Sequence, residues 1–239
     1  MNLRNTLFML ALSAATAAAS AAPACHAVSG PTVPMVVELY TSEGCNSCPP
    51  ADRWLSGIKA GNGVLRAAFH VDYWDRLGWR DRFASPDYTA RQTQSQRWSG
   101  ARFSYTPQVQ IDGQDSPQWS QWRPSPNGRP STIDLSLHRE AGSVQMQAVA
   151  KAGAPQRLSM WWAVLEDGLV SNVKAGENSG ETLHHDAVVR RYGTQAPWDP
   201  AHPPQITLPA PEAGTRLLVV VTDAQTHRTA QALELSCPG

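Results

Sequence analysis

The residues with the clearest chemistry are two cysteines, Cys45 and Cys48, which follow the mostly apolar run 36–40. A strand that leads through Cys-x-x-Cys into a helix is an arrangement used for thiol–disulfide exchange. The thiolate is the attacking species, and unpaired N–H groups at a helix N-terminus stabilise it. We therefore expect Cys45 to be the accessible attacking thiol and Cys48 the buried resolving thiol. Pro50 disfavours a helical conformation at Pro49, so the helix is expected to begin only after Cys48.

A pair of this kind is also half of a zinc site, since a structural zinc ion takes four Cys or His ligands. No second Cys-x-x-Cys and no His-x-x-x-His follows in the sequence. His184 and His185 are adjacent, and adjacent side chains of a strand point to opposite faces. We predict no metal site and no other cofactor. Binding of Cu(I) by the dithiol is an alternative, because thiolates are soft ligands.

Residues 1–21 have the pattern of a secretory signal peptide. Arg4 supplies the positive charge, residues 7–19 are apolar and alanine-rich, and Ala19-Ser20-Ala21 offers a cleavage site. The apolar stretch is too short for a permanent membrane span. We therefore expect an exported protein, periplasmic or secreted, after cleavage of the signal peptide.

Export changes the interpretation of Cys25 and Cys237, which lie near opposite ends of the mature chain. In an oxidising compartment they are candidates for a structural disulfide. In the loop-entropy model, so long a loop contributes on the order of 4 kcal/mol. Four cysteines allow three pairings. Two free thiols, or loss of Cys25 with a longer signal peptide, are the alternatives.

The composition limits the classes of partner. The formal net charge is 0, from 20 basic and 20 acidic residues, and it gives no reason to expect nucleic acid. No later stretch is long enough to span a bilayer. A hydrophobic content of 41% is sufficient for a packed core. We expect a monomer whose partners are protein thiols or disulfides.

The pattern of elements changes near residue 124. Before it, strand and helix patterns alternate, which is typical of a sheet with covering helices. The predicted strands there are 36–41, 64–71 and 108–111, and the predicted helices are 50–60 and 80–98, with 114–122 as a short further candidate. After residue 130 the strands are short and have a period of two, which suggests a β-sandwich. They are 133–138, 144–150, 158–165, 187–192, 206–208, 217–222 and 230–235.

These patterns predict an α/β N-terminal domain at residues 35–123 and an all-β, sandwich-like C-terminal domain at 131–239. The proline-rich segment 124–130 is the predicted linker, and residues 22–34 are the N-terminal segment of the mature chain. We take the switch in periodicity across the linker as the domain boundary.

A proline directly ahead of the strand 108–111 sharpens the first domain. Thr106-Pro107 followed by this strand resembles the thioredoxin superfamily, and with Cys45 and Cys48 it implies a thioredoxin-like fold. The resemblance also implies that the Thr106–Pro107 bond is cis and that Pro107 faces the cysteines and positions an extended substrate. An ordinary trans proline at a strand start is the alternative.

A narrower resemblance rests on four segments, namely 37–52, 70–79, 89–92 and 176–178. They are similar to the exported bacterial family known as domain of unknown function 1223. The motifs extend over residues 36–192, which is most of the mature chain. Membership implies a thioredoxin-like domain but no established substrate or activity.

Four further residues are candidates for the site. A buried Glu38 with a raised pKa would suit a proton acceptor for Cys48, whereas a salt-bridged or exposed Glu38 is the alternative. Asp72 and Trp74 follow the second strand, where strand ends line a crevice, so they are expected to wall the site. Plain packing is their alternative. The Thr106 backbone is expected to pair with substrate.

Two functions are consistent with these residues. The first is an exported thiol–disulfide oxidoreductase with Cys45, Cys48 and Pro107 in its active site. The second is a non-catalytic binding module with a static disulfide, or a Cu(I)-handling protein on the same scaffold.

Overall fold

A computed structural model describes residues 25–59, 61, 63–124, 128–140 and 142–237. The predicted signal peptide, residues 1–21, lies outside them. The described residues form two α-helices, α1 (Pro49–Gly57) and α2 (Pro86–Ser99), and two 3-10 turns, Asp75–Leu77 and Trp119–Gln121. The strands are β1 (His26–Val28), β2 (Met35–Thr41), β3 (Val64–His70), β4 (Gln108–Ile111), β5 (Gln114–Asp115), β6 (Ile133–Glu140), β7 (Ser143–Ala150), β8 (Leu158–Glu166), β9 (Leu169–Asn172), β10 (Thr182–His185), β11 (Val188–Trp198), β12 (Ile206–Pro209), β13 (Thr215–Asp223) and β14 (Thr229–Ser236).

Eight of these strands form one mixed sheet in the order β14-β13-β8-β11-β3-β2-β4-β5. β2 and β3 run parallel, with Leu39 opposite Ala68. β11 joins the other edge of β3, also in parallel, with Val188 opposite Ala68. The remaining neighbours are antiparallel. Strands from both sides of residues 124–130 therefore belong to a single sheet.

The predicted fold class is wrong. The chain is mostly β with several sheets, and it is not an α/β thioredoxin-like domain followed by a β-sandwich. β3 has β2 on one side and β11 on the other, so the first half of the chain does not close its own sheet. An alternation of strands and helices in the sequence is the same whether an edge of a strand in the sheet is free or pairs with a strand distant in sequence. The local pattern therefore suggested two domains where the chain builds one sheet.

A second sheet packs against part of the first. It contains four strands in the order β1-β6-β7-β12, and its apolar side chains form one core with those of β8, β13 and β14. Alternate residues of β13 make this contact because successive strand side chains point to opposite faces. Leu217 and Val219 face the smaller sheet, while Leu218 and Val220 face the other side.

The two helices cover opposite faces of the β2–β3 region. Leu55 of α1 packs with Leu39, and Tyr88 of α2 packs with Tyr40 and Phe69 on the other face. Ser85 caps α2 by accepting a hydrogen bond from the Asp87 N–H at 3.2 Å. In the described part of the chain, no helix is both long and apolar enough to cross a membrane.

Several element boundaries differ from those predicted. The helix expected at 80–98 begins at Pro86, because Ser85 takes the extended N-cap conformation. The helix candidate 114–122 is instead β5 and a 3-10 turn. The strand expected at 187–192 extends to Trp198. The sequence patterns missed the strands β1, β5 and β9 and most of β10.

Cys25 and Cys237 form a disulfide, with a Cα–Cα distance of 5.7 Å. Pairing of β1 with β6, in which Ala27 lies opposite Leu137, holds the first described residues on the smaller sheet. Cys25 and Cys237 also pack against the core between the two sheets. Of the alternatives that the sequence left open for these two cysteines, the structure has the disulfide.

Replacing both Cys25 and Cys237 by Ala is expected to lower the free energy of unfolding by about 2–5 kcal/mol, because the disulfide closes a very long loop. The measurement is urea unfolding of the variant and the wild type under identical non-reducing conditions. A change below about 0.5 kcal/mol would contradict the expectation.

Candidate functional site

The candidate site is built around a second disulfide, between Cys45 and Cys48, with a Cα–Cα distance of 5.4 Å. It lies in the turn that connects β2 to α1. The Cys48 N–H donates to the Cys45 carbonyl at 3.2 Å, and Cys45 Sγ lies 3.4 Å from Ser47 Oγ. The predicted position of the pair, between a buried strand and a helix start, agrees with the structure.

Both cysteines are fully buried. Cys45 and Cys48 each have an exposed fraction of 0%, so the prediction that Cys45 is accessible is wrong for this disulfide form. The turn is in contact with Trp74 and with the loop between β9 and β10, both distant in sequence. Their position over the turn could not be foreseen from the local motif.

The start of α1 differs from a helix terminus that stabilises a thiolate. The helix begins at Pro49, directly after its N-cap Cys48. Pro49 is therefore helical, although Pro50 was expected to disfavour that conformation. Pro49 and Pro50 have no N–H, and the Ala51 and Asp52 N–H groups both donate to the Cys48 carbonyl, at 2.8 and 3.1 Å. These four residues therefore leave no free N–H for a Cys45 thiolate.

The start of β4 lies beside the end of β2. Tyr40 is opposite Gln108 in an antiparallel pairing, and the Thr106–Pro107 peptide bond is cis, as predicted. Trp74 Nε1 donates to Thr106 Oγ1 at 2.8 Å. On its other side, Trp74 packs closely on Gly44, where an added Cβ would lie 3.0 Å from Trp74 Cβ. Trp74 therefore connects the Thr106 segment to the cysteine turn.

Asp72 is tied to α2. The Asp72 Oδ1 atom accepts a hydrogen bond from the Thr89 hydroxyl at 2.6 Å. The Asp72 N–H donates to Thr89 Oγ1 at 3.1 Å. It therefore positions the segment that carries Trp74. Its carboxylate is engaged by Thr89, as the packing alternative proposed.

Glu38 forms a buried ion pair. Its Oε2 lies 2.6 Å from Arg91 Nη2 and 3.1 Å from Arg91 Nε, and it also accepts from the Tyr40 hydroxyl at 3.3 Å. This pair is on the α2 face of the sheet, whereas Cys48 begins the helix on the opposite face. Glu38 is thus salt-bridged, the alternative to a proton acceptor for Cys48.

Five ionisable side chains that the sequence analysis did not connect lie behind the cysteine turn. Each belongs to a residue that is at most 7% exposed. His70 Nδ1 lies 2.7 Å from Asp81 Oδ2, and the same carboxylate oxygen accepts from the Glu43 N–H at 2.9 Å. The cluster consists of Glu43, Asp52, His70, Asp81 and His185.

Further contacts hold this cluster together. The rings of His70 and His185 are 5.0 Å apart. His185 Nε2 lies 3.3 Å from Glu43 Oε1, within ion-pair range although outside good hydrogen-bond geometry. Glu43 Oε2 accepts from Trp79 Nε1 at 2.7 Å, and Asp52 Oδ2 accepts from Thr41 Oγ1 at 3.1 Å.

The surroundings shift the pKa values of Asp81, His70 and Asp52 within the cluster. Burial alone would raise the pKa of Asp81, but the charge of His70 and several hydrogen bonds lower it below its usual value. Burial alone would lower the pKa of His70, but Asp81 raises it. For Asp52 burial dominates, so its pKa is raised despite the neighbouring histidines. Both shifts favour the charged forms of the buried pair His70–Asp81.

Among the described residues, no three or more His, Cys, Asp or Glu side chains are arranged to hold a metal ion. The one sequence signal for the cluster was the presence of ionisable residues beside apolar strands, at Glu43 and His70. Their partners are separated from them by up to 142 positions, from Glu43 to His185, which no local pattern reveals.

The loop between β9 and β10, residues 173–181, touches the cysteine turn directly. Asn178 Nδ2 donates to the Glu43 carbonyl at 2.8 Å and to the Cys45 carbonyl at 3.0 Å. Glu177 Oε2 accepts a hydrogen bond from the Asn46 N–H at 3.2 Å. Gly176, at φ +73, packs against Trp79, where an added Cβ would lie 3.3 Å from Trp79 Cβ.

Comparison with known proteins identifies relatives of the chain. No curated protein matches it significantly. Its structure is similar to the X-ray crystal structure of protein AGR_C_4864 from Agrobacterium tumefaciens, with a TM-score of 0.64 and 26% identity over 85% of this chain and 94% of that one. HBP35 of Porphyromonas gingivalis has a similar fold, with a TM-score of 0.55 and 11% identity over 86% of this chain and 76% of the other. A family profile described as "Protein of unknown function (DUF1223)" matches residues 36–222. The chain therefore belongs to the DUF1223 family, as its motifs predicted.

Proposed function

We propose that this protein is a thiol–disulfide oxidoreductase that uses Cys45 and Cys48. The observation that carries the proposal is the position of their disulfide, in the turn between the central strand β2 and α1 and beside the start of β4. Pro107 introduces β4 there, and Trp74 borders the turn through its bond to Thr106. We expect an extended peptide as substrate, because the start of β4 could pair with its backbone and Trp74 could pack against its side chains beside the disulfide.

In the disulfide form the pair accepts two electrons from a substrate dithiol. A substrate thiolate attacks Cys45 Sγ, the bond between the two sulfurs breaks, and Cys48 leaves as a thiolate that takes up a proton. The second substrate thiol, once deprotonated, attacks its own mixed-disulfide sulfur and releases Cys45. The substrate is thereby oxidised to a disulfide, and the reverse sequence reduces a substrate disulfide.

Protein thiols or disulfides are the proposed partners, and the proposed location is outside the cytoplasm. The signal-like residues 1–21 support export. The two disulfides, Cys25–Cys237 and Cys45–Cys48, support an oxidising compartment, because disulfides are rare in cytosolic proteins.

The test is a redox titration of the full chain in glutathione and dithiothreitol buffers, followed by alkylation and peptide mass spectrometry. This readout follows each disulfide separately. For Cys45–Cys48 we expect a reduction potential above about −270 mV, in the range of exchange proteins. Cys25–Cys237 is the internal control for a structural disulfide, with an expected potential below about −300 mV.

A second candidate function is a non-catalytic module with a static Cys45–Cys48 disulfide. The complete burial of both cysteines favours it, because exchange requires access to a sulfur atom. A potential for Cys45–Cys48 below about −300 mV, like that of a structural disulfide, would support this candidate and contradict the oxidoreductase proposal.

A further inference from the structure

A buried disulfide cannot react until something uncovers it. Both cysteines have an exposed fraction of 0%, whereas exchange needs an attacking thiolate to reach one of the sulfurs. Cys48 is the N-cap of α1, which packs on the sheet. Cys45 is held from outside by the loop 173–181, which is the more easily displaced of its neighbours.

The loop is attached to the cysteine turn by a few polar contacts. The Asn178 amide donates to two carbonyls, those of Glu43 and Cys45, and Asn178 is itself only 6% exposed. Glu177 accepts from the N–H of Asn46, the residue that directly follows Cys45. Removal of these contacts would detach the loop tip from the turn.

The loop is also a compact unit with its own hydrogen bonds. The Gly180 N–H donates to the Val173 carbonyl, and the Val173 N–H donates to the Glu181 carbonyl, both at 2.9 Å. Several of its side chains are exposed, including those of Lys174, Ser179 and Glu181. Val173 at the base of the loop is buried, and Gly176 packs against Trp79, so the solvated tip beyond these two anchors is the part that can open locally.

We propose that the loop 173–181 is a cover that controls access to Cys45, and that Asn178 is the residue that latches it. The inference rests on the proposed function of the disulfide and adds its regulation. Opening of the cover has two effects at once. It exposes Cys45, and it withdraws the Glu177 carboxylate from the Asn46 N–H, which is then free to stabilise a Cys45 thiolate.

The second effect matters because the first residues of α1 offer no free N–H, which leaves the Ser47 hydroxyl, 3.4 Å from Cys45 Sγ, as a neighbouring donor. Pro49 and Pro50 have no N–H, and the Ala51 and Asp52 N–H groups are bonded to the Cys48 carbonyl. In the closed form the Glu177 carboxylate occupies the N–H next to Cys45 and places a negative charge there, which opposes a thiolate.

The test compares Asn178→Ala with the wild type during reduction by dithiothreitol under native conditions, with each disulfide followed by alkylation and mass spectrometry. Loss of two hydrogen bonds should raise the reduction rate of Cys45–Cys48 about tenfold, because the rate follows the population of the open form. Ser179→Ala is the matched control. Ser179 lies in the same loop, and its hydroxyl donates to the Lys174 carbonyl within that loop, so the reduction rate of Cys45–Cys48 in this variant should remain that of the wild type.

Cys25–Cys237 serves as the internal reference, since general destabilisation would accelerate the reduction of both disulfides. Selective acceleration of Cys45–Cys48 in Asn178→Ala supports the cover. An unchanged rate, or equal acceleration of both disulfides, would overturn it. The redox titration tests the proposed function separately, because a potential is an equilibrium quantity and the reduction rate measures access.

Discussion

Replacing Arg91 by Met is expected to lower the free energy of unfolding by about 3–5 kcal/mol, because it leaves Glu38 as an unpaired buried carboxylate. The side chains of Arg91 and Glu38 are only 11% and 5% exposed. The guanidinium of Arg91 also packs over the rings of Phe69, Trp161 and Tyr192, at 4.5–5.0 Å from their centroids. Burial alone would lower the pKa of Arg91, but Glu38 raises it.

The control is a double-mutant cycle. Glu38→Gln in the Arg91→Met background removes the unpaired charge, and we expect it to recover a large part of the lost stability. Urea unfolding of the wild type, both single variants and the double variant measures the coupling. Strict additivity of the two single effects would show that the ion pair is not the source of the loss.

The second large effect is expected at the pair His70–Asp81. Asp81→Asn should lower the free energy of unfolding by about 3–5 kcal/mol below neutral pH, because His70 then loses its buried counter-charge. Asp81 also accepts hydrogen bonds from the Glu43 and Phe83 N–H groups at 2.9 Å. Its loss should therefore disturb the segment just before Cys45 as well.

The pH dependence of this pair follows from the two pKa shifts. The pKa of His70 is raised above 6.5, so its contribution is complete below about pH 6.5 and is lost as the pH rises through the folded-state pKa. The pKa of Asp81 is lowered below 3.8, so its contribution is present above that pH and is lost as the pH falls through the folded-state pKa.

The wild type should therefore lose part of its stability between about pH 6 and about pH 9, and Asp81→Asn should lose much less over the same interval. Urea unfolding at both pH values measures the difference between the two proteins. The proposed charge pairing requires the gap between them to narrow at the higher pH, and a constant gap would contradict it.

The parts of the site that sequence predicted correctly are those encoded by neighbouring residues. Spacing alone identified Cys45 and Cys48 as a pair at a strand–helix junction, and the resemblance carried by Thr106-Pro107 implied the cis bond. Trp74, which follows β3, was a candidate for the wall of the site, with plain packing as the alternative. Each of these inferences needs only a short window of sequence and the ordinary geometry of strand ends.

The parts that could not be predicted depend on pairs distant in sequence. Asn178 lies 133 positions from Cys45, and no periodicity indicates that its amide meets the Cys45 carbonyl. Glu38 was a plausible proton acceptor until the position of α2 placed Arg91 against it. The polar side chains of the buried cluster likewise could not be predicted to interact, because their partners come together only in the folded protein.

The predicted fold class was wrong for the same reason, because strand pairing joins residues that are distant in sequence. The strands 36–41, 64–71 and 108–111 were predicted near their observed positions, but strand periodicity does not specify which neighbour fills an edge. β11 pairs with β3 through a connection of more than 100 residues. The apolar residues of β3 are equally compatible with an edge strand that a helix covers and with a central strand that β11 pairs with. Only the three-dimensional pairing distinguishes these two arrangements.

The Cys25–Cys237 disulfide makes the polypeptide between these residues a covalent ring. A single proteolytic cut within the ring, outside residues 46–48, would leave two pieces joined as one molecule, with only a water molecule added to the mass. Such nicked protein would migrate as a single species on a non-reducing gel and separate into fragments only after reduction. Limited proteolysis with and without reductant can therefore locate cleavage sites in a molecule whose parts remain assembled.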